Sequence, residues 1–441
     1  VVVANTVGRP APDIDSGRAW LVVVGTFLAS AVTLGTVYSF GSFFESMADD
    51  FGTGKGETAV VFGVTTFAFF WLSLITGRLA DRFGPRPVLL AAAASLFAGM
   101  MVTSNVNSIA LGYVTYGAGA GLAGACAYIP MVATVGGWFE RRRAAAVGIS
   151  VAGIGIGTLV MNPLVTWLLE SYSWRTTFRI IGVGGGVILA ACTLLVARAP
   201  GAAGAAPSRF GDAARSPMFH RLWLAALCSG LALFVPFVFV VPYARDRGVS
   251  ASAAAWLVGL LGGASVISRI GFGSLTRRFG TFRLYRLGLA LFPVGYLIWL
   301  SAGSSYALLV LFVLVLGTGY GSFVAVSPLV LADRFGVVGL GSLMGLFYTT
   351  QGLGGLIGPP AAGRLIDSTG SYRTPLVLAL VLCSASVAMV FTIGTDADGN
   401  LEPEPAPGPE PDPEPEPMAD GADRDEHPGS AATGRAMDPT R

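Results

Sequence analysis

One arginine stands inside an apolar stretch. Arg269 lies within Ala264-Ser265-Val266-Ile267-Ser268-Arg269-Ile270-Gly271-Phe272-Gly273. A guanidinium keeps its proton, and a charge in such surroundings needs a partner or a polar cavity. Its planar fork matches a carboxylate through two parallel hydrogen bonds. No acid sits deep in any apolar segment of this chain, so the partner is expected from outside, as a small organic anion. The competing accounts are a structural ion pair and a side chain that snorkels to the nearer surface.

Hydroxyl and amide groups suited to the same place are Tyr38, Tyr128, Ser327, Tyr348, Thr349 and Gln351. Each would serve equally as a hydrogen-bond partner between helices. Other polar groups gather where apolar segments end. Asp81 sits among Arg78, Arg82 and Arg86 in a run from Gly77 through Gly84, Arg141 and Arg142 precede another segment, and Asp333-Arg334 closes a third. An acid among arginines can make a charge-assisted contact in one state and release it in another. The plainer reading is a solvated basic loop. Catalytic groupings do not emerge. There are two histidines, His220 and His427, and four cysteines without ligand spacing, Cys126, Cys192, Cys228 and Cys383. Gly119-x-Gly121-x-x-Gly124 imitates a dinucleotide fingerprint but follows no strand. No enzyme activity, cofactor or metal is therefore expected.

These residues need a scaffold of membrane helices. Hydrophobic residues form 53% of the chain and charged ones only 12%. A soluble domain carries about a quarter charged residues, so lipid must cover much of this surface. Val1 to Arg18 lacks the apolar core of a cleavable signal. Apolar segments fall near 19–44, 57–77, 86–105, 109–137, 143–169 and 176–197, then near 220–244, 252–275, 283–302, 305–332, 338–363 and 374–394. The expected fold is all-α, with about twelve transmembrane helices. The expected division is an N-terminal segment 1–18, a six-helix bundle 19–197, a connection 198–219, a second six-helix bundle 220–395 and a tail 396–441. With the N-terminus inside, cytoplasmic connections hold about twice as many basic residues as the opposite ones. Both termini are then cytoplasmic. The tail alternates Pro and Glu from Glu402 to Pro417 and is expected to be disordered.

The two bundles echo one another. Gly77-Arg78-Leu79-Ala80-Asp81-Arg82-Phe83-Gly84 returns 196 residues on as Gly273-Ser274-Leu275-Thr276-Arg277-Arg278-Phe279-Gly280. Trp174-Arg175-Thr176 is echoed by Tyr372-Arg373-Thr374. Paired repeats with a site between them near the midplane are a transporter design. Gly77 to Arg86 resembles the loop signature of the major facilitator superfamily, and the likeness extends over nearly the whole chain apart from its tails. In that family the loop clamps the ends of the two halves in one conformation. This implies a conformational gate at Gly77, Asp81, Arg82, Gly84 and Arg86, to which Arg141, Arg142 and Asp333 are added.

Two further stretches narrow the resemblance. Asp15-Ser16-Gly17-Arg18-Ala19-Trp20 and the run from Trp138-Phe139-Glu140-Arg141-Arg142-Arg143 to Gly153 look like the paired signatures of monocarboxylate transporters and their microbial relatives, which include oxalate–formate exchangers. Arg18 departs from the usual aromatic. Val241-Pro242-Tyr243-Ala244-Arg245-Asp246-Arg247-Gly248 resembles the microbial members. The resemblance implies that Arg269 binds the substrate carboxylate, with Tyr38, Tyr128, Gln351 and Tyr348 as candidate partners. It also exposes departures. The family's first-span lysine falls on Tyr38, the acid four residues before the arginine falls on Ser265, and the second cation of oxalate exchangers falls near Gln351. One remaining fixed charge favours a monoanion, because a second carboxylate would be desolvated without a partner.

The resulting expectation is a secondary active transporter that moves a small organic monocarboxylate by alternating access, with proton coupling and anion exchange both open. It would work as a monomer in the plasma membrane, with lipid, the anion and, where transport is proton-coupled, protons as partners and no nucleic acid. A proton-driven efflux antiporter is the alternative, although Gly157 precedes Thr158 rather than the proline of such relatives. A non-transporting membrane sensor or scaffold is the alternative from another class.

Overall fold

Serine hydroxyls open many of the helices. Ser16, Ser108, Ser173, Ser216, Ser250 and Ser305 each accept from the backbone N–H three residues on. Each bond satisfies a donor that a helix start leaves open. The computed structural model describes residues 14–200, 214–336 and 340–394. Its helices are α1 (Gly17–Tyr38), α2 (Phe40–Phe51), α3 (Lys55–Phe83), α4 (Pro85–Thr103), α5 (Ile109–Ala127), α6 (Ile129–Trp138), α7 (Arg143–Ser171) and α8 (Trp174–Leu195). Then follow α9 (Pro217–Leu233), α10 (Val235–Arg245), α11 (Ala251–Phe279), α12 (Thr281–Ala302), α13 (Tyr306–Phe335), α14 (Leu340–Thr369) and α15 (Arg373–Phe391). The tail from 396 lies outside the described residues, as do residues 1–13 and the middle of the central connection.

Eleven spans among the described residues are long and apolar enough to cross a membrane. Three are broken pairs: α1 with α2, α5 with α6, and α9 with α10. The breaks fall at Ser39, Tyr128 and Phe234. Pro130 and Pro236 follow two of them and lack the N–H that would continue the helix ladder. The twelfth segment is α14, whose glycines, Gln351, Pro359 and Pro360 lower its hydropathy. It packs against α3 and α9, so protein rather than lipid covers much of it.

Packing repeats the sequence symmetry. In the first set, α3 packs on α5, α4 on α5 and α8, and α1 on α7 and α8. The second set repeats each contact, as α11 on α13, α12 on α13 and α15, and α9 on α14 and α15. The sets meet through α3 with α14 and α7 with α11, which are themselves a symmetric couple, and through α2 with α10. The small residues needed for close approach also correspond. A β-carbon at Gly157 would collide with the Ala31 carbonyl of α1, and one at Gly358 with the Leu231 carbonyl of α9. The fold is therefore an all-α membrane architecture of two pseudo-symmetric bundles.

The repeated Arg-Phe-Gly is a helix stop. Gly84 and Gly280 end α3 and α11 with φ of 91° and 80°, a region costly for any residue with a β-carbon. The next helix starts immediately after each. A third copy, Ala332-Asp333-Arg334-Phe335-Gly336, matches Ala80 to Gly84 residue for residue. It ends α13 with Gly336 at φ 79°.

Candidate functional site

α11 has two contrasting faces. Ile267 and Ile270 are 75% and 68% exposed, while Ser265, Ser268 and Arg269 are buried. Arg269 is 8% exposed and is the one buried charged side chain among the described residues. Its Nη1 donates to the Val151 carbonyl of α7, across the two helix sets, at 2.7 Å. Its Nε and Nη2 are buried with no partner. Leaving a buried donor idle costs on the order of 1–3 kcal/mol, and more when it is charged. Ser265 and Ser268 direct their hydroxyls to their own helix backbone. They supply no counter-charge.

Phenols surround this guanidinium. The Tyr320 ring lies with its centroid 5.5 Å from the Arg269 Cζ. Glycines place it there: β-carbons at Gly317 and Gly321 would strike the Leu261 and Ser265 carbonyls, so their absence lets α13 close on α11. The Tyr320 hydroxyl bonds the Tyr38 hydroxyl at 3.2 Å, again between the helix sets. Phe237 of α10 stacks on Tyr38 at 4.5 Å and meets Tyr320 edge-on at 5.9 Å. Tyr38, Tyr128 and Tyr348 all lie within electrostatic reach of Arg269. Tyr128 stands at the α5–α6 break beside Phe69, and Tyr348 stacks on Phe70.

The other candidate liners turn elsewhere. Gln351 is buried against α9 and donates to the Ala226 carbonyl and the Thr350 hydroxyl, each at 3.3 Å. Ser327 bonds the Phe323 carbonyl, and Thr349 bonds the Leu346 carbonyl and accepts from the Trp223 indole.

The two ends of the molecule differ. At one end Lys55, Asp246 and Tyr372 form a triangle. The Lys55 amine donates to Asp246 at 3.0 Å and to Tyr372 at 2.5 Å, and the Tyr372 hydroxyl donates to Asp246 at 2.8 Å. Burial, then the bond to Asp246, pushes the Tyr372 phenol well above its ordinary pKa, so it stays a donor. Asp367 of α14 accepts from the backbone N–H of Lys55 at 2.9 Å and of Gly56 at 2.8 Å. It caps α3 from the opposite helix set, where a carboxylate also meets the positive helix end. Arg245 and Glu45 pair at 2.8 Å.

The opposite end carries the candidate gate. Asp81 and Arg82 are exposed, and their carbonyls accept from Arg198. The Asp81 carboxylate enters none of the ion pairs among the described residues. Arg86 donates to the Val196 carbonyl at 2.8 Å, Gly77 has open space around it, and Asp333 is exposed at the end of α13. Arg141 and Arg142 are exposed ahead of α7. The stretches around Asp15 and Trp138 meet here. Asp15 N–H donates to the Trp138 carbonyl at 3.1 Å, Arg141 N–H donates to the Asp15 carboxylate at 3.2 Å, and Trp20 packs edge-on to Phe139 at 5.1 Å.

The Major Facilitator Superfamily model matches residues 26–283 and 222–424. Monocarboxylate transporter 4 of Rattus norvegicus is 31% identical over 397 residues, 86% of this chain and 83% of that one. The chain belongs to the monocarboxylate transporter family of the major facilitator superfamily. Monocarboxylate transporter 12 of Xenopus laevis is 28% identical over 415 residues, covering 84% of this chain and 88% of that one. As a family member the chain is a multi-pass membrane transporter, not an enzyme. Solved structures agree on the fold. The nucleoside transporter NupG matches with a TM-score of 0.67 at 14% identity, over 85% of this chain and 98% of that one. A bacterial homologue of the human lysosomal transporter Spinster, in an inward-facing and occupied conformation, gives 0.67 at 16% identity, over 86% and 97%.

Three groups at this candidate site are not among the residues expected there from the sequence: Tyr320, Phe237 and the Val151 carbonyl. The only sequence signal for Tyr320 was a lone aromatic between glycines, in Gly317-Thr318-Gly319-Tyr320-Gly321.

Proposed function

We propose that this transporter carries a small organic monocarboxylate across the plasma membrane by alternating access, with Arg269 as the carboxylate site. The observation that carries this reading is the pair of buried, unpartnered guanidinium nitrogens on Arg269. A carboxylate presents two oxygens to such an edge and cancels its charge. Tyr38 and Ser265 supply neither a second cation nor an acid. One charge on each side makes a monoanion the fitting ligand.

Coupling follows from the same account. Among the described residues, no buried acid stands by Arg269 to take a proton. An empty site would reorient with its charge unpaired, which favours exchange of one monoanion for another or entry of a proton on the substrate itself. The basic residues favour a cytoplasmic Arg82 end. The closed Lys55 end is then the outer mouth.

Uptake of labelled lactate, pyruvate, acetate and formate into proteoliposomes tests the reading. Saturable uptake in the wild type is expected to fall to the protein-free level in Arg269→Gln. Equal flux in both proteins would remove Arg269 as the anion site.

A further inference from the structure

We infer that α3 is capped from across the interface only while the Lys55 end is closed, so that its first turn forms and frays as that end shuts and opens. This rests on the alternating-access reading above and adds a clasp that sets the balance between the two states.

Capping chemistry leads there. The first N–H groups of a helix have no partner inside it. Six of the helices meet that need with a serine of their own. α3 starts on Gly54, which has no side chain to offer. Its backbone does not demand glycine. φ is −69° and ψ 168°, against −62° and 156° at Ser173 and −59° and 152° at Ser250. A serine would suit that backbone and cap α3 locally. Asp367 of α14 takes the space. A β-carbon at Gly54 would lie 2.7 Å from the Asp367 Oδ2. The same carboxylate accepts the Lys55 and Gly56 N–H groups, one on each oxygen. Two more glycines allow the approach. A β-carbon on Gly56 would lie 2.9 Å from the Arg364 backbone nitrogen, and one on Gly363 would lie 2.6 Å from the Lys55 carbonyl oxygen. The start of α3 is thus shaped to receive a carboxylate from the other helix set in place of a cap of its own.

The repeat contains the other solution. In the 196-residue register Gly54 corresponds to Ser250, and Asp367 to Ser171. Ser250 caps its own helix, α11, by accepting from the Ala253 N–H at 3.3 Å. α11 packs on α7 as α3 packs on α14, but α7 ends on the uncharged Ser171. One helix of this symmetric couple carries its cap with it. The other has its cap on the far side of an interface that must part.

Parting withdraws both oxygens of Asp367 and leaves the start of α3 bare. Glu57 stays in the first turn in either state, so it does not distinguish them. The Thr58 N–H does. It makes the first bond within the helix, to the Gly54 carbonyl at 3.0 Å, just as Ala254 bonds the Ser250 carbonyl at 2.9 Å. Closing this end and completing a helix are then one event. Fraying opposes opening on the α3 side and has no counterpart at α11.

The test uses the purified full chain in lipid nanodiscs. Hydrogen exchange is followed at the Thr58 and Ala254 amides, where it reports local opening of the helix. Spin-label distances across the Lys55 end report the mouth. Asp246→Ala breaks the Lys55 triangle without touching the cap. It should widen the distances and speed exchange at Thr58, with Ala254 unchanged. Asp367→Ala removes the cap itself and should speed Thr58 about fivefold, the factor that one helix cap contributes. Adding Gly54→Ser to Asp246→Ala supplies a local cap, so exchange at Thr58 should slow again while the distances stay wide. Wide distances with unchanged exchange at Thr58 overturn the clasp and leave alternating access standing. Exchange that stays fast in the double variant overturns the clasp as well. Distances unchanged in every variant, with melting temperature confirming the fold, would sink alternating access at this end and the clasp with it.

Discussion

At the scale of single residues, the guanidinium of Arg269 is defined by geometry as much as by charge. It holds one carbonyl with Nη1 and leaves two nitrogens for a fork. A lysine would keep the charge but offer a point rather than an edge. Arg269→Lys is therefore expected to retain less than about a tenth of wild-type pyruvate flux, and near-normal flux would show that charge alone suffices. Gln351 calls for the opposite outcome. It secures α14 to α9 through the Ala226 carbonyl, so Gln351→Ala should lower stability by about 1 kcal/mol, read as melting temperature, with little change in the half-saturation constant. Arg269 was legible in the sequence because an ionised group in an apolar run has few ways to exist. Tyr320 was not. Its meaning comes from a hydroxyl on α1 and a guanidinium on α11, and nothing local to Gly317–Gly321 announces either neighbour.

At the scale of elements, the helices were legible because lipid demands long apolar segments, and their interruptions were not. The breaks at Ser39, Tyr128 and Phe234 replace three expected continuous spans by kinked ones. Tyr128 reaches the phenol cluster from one of these breaks. The repeated Arg-Phe-Gly was visible as a motif, but its physical role needed the backbone. Gly84→Ala and Gly280→Ala should each cost about 1–3 kcal/mol, because at positive φ with ψ of 166° and 142° a β-carbon enters a region that essentially only glycine adopts. Melting temperatures in detergent check this, and an unshifted value would mean the turn relaxes freely. Gly77 differs, since nothing stands near its missing side chain. Gly77→Ala should be neutral or stabilising by up to about 1 kcal/mol through helix propensity. If it nevertheless slows turnover, the glycine serves the state in which this end closes.

At the scale of the molecule, the two ends are in opposite conditions. The Lys55 end is tied by a triangle of side chains and by Asp367 capping α3 from across the interface. The Arg82 end displays Asp81 and Asp333 to solvent. Asp367→Asn should weaken the tie and shift the population towards opening there. Spin labels at the exposed Asp49 and Ser368 would report it as a growing long-distance component, and an unchanged distribution would mean the cap adds nothing to closure. The triangle has a practical side as well. Lys55 is the chain's single lysine, and in the closed state its amine is engaged with a carboxylate and a phenol. An acylating reagent should therefore mark it mainly while that mouth is open. The unmodified carrier thus holds its own gauge: each molecule takes up one acyl group at that peptide, so the rate of labelling would report how large a share of the molecules each substrate holds open at the Lys55 end.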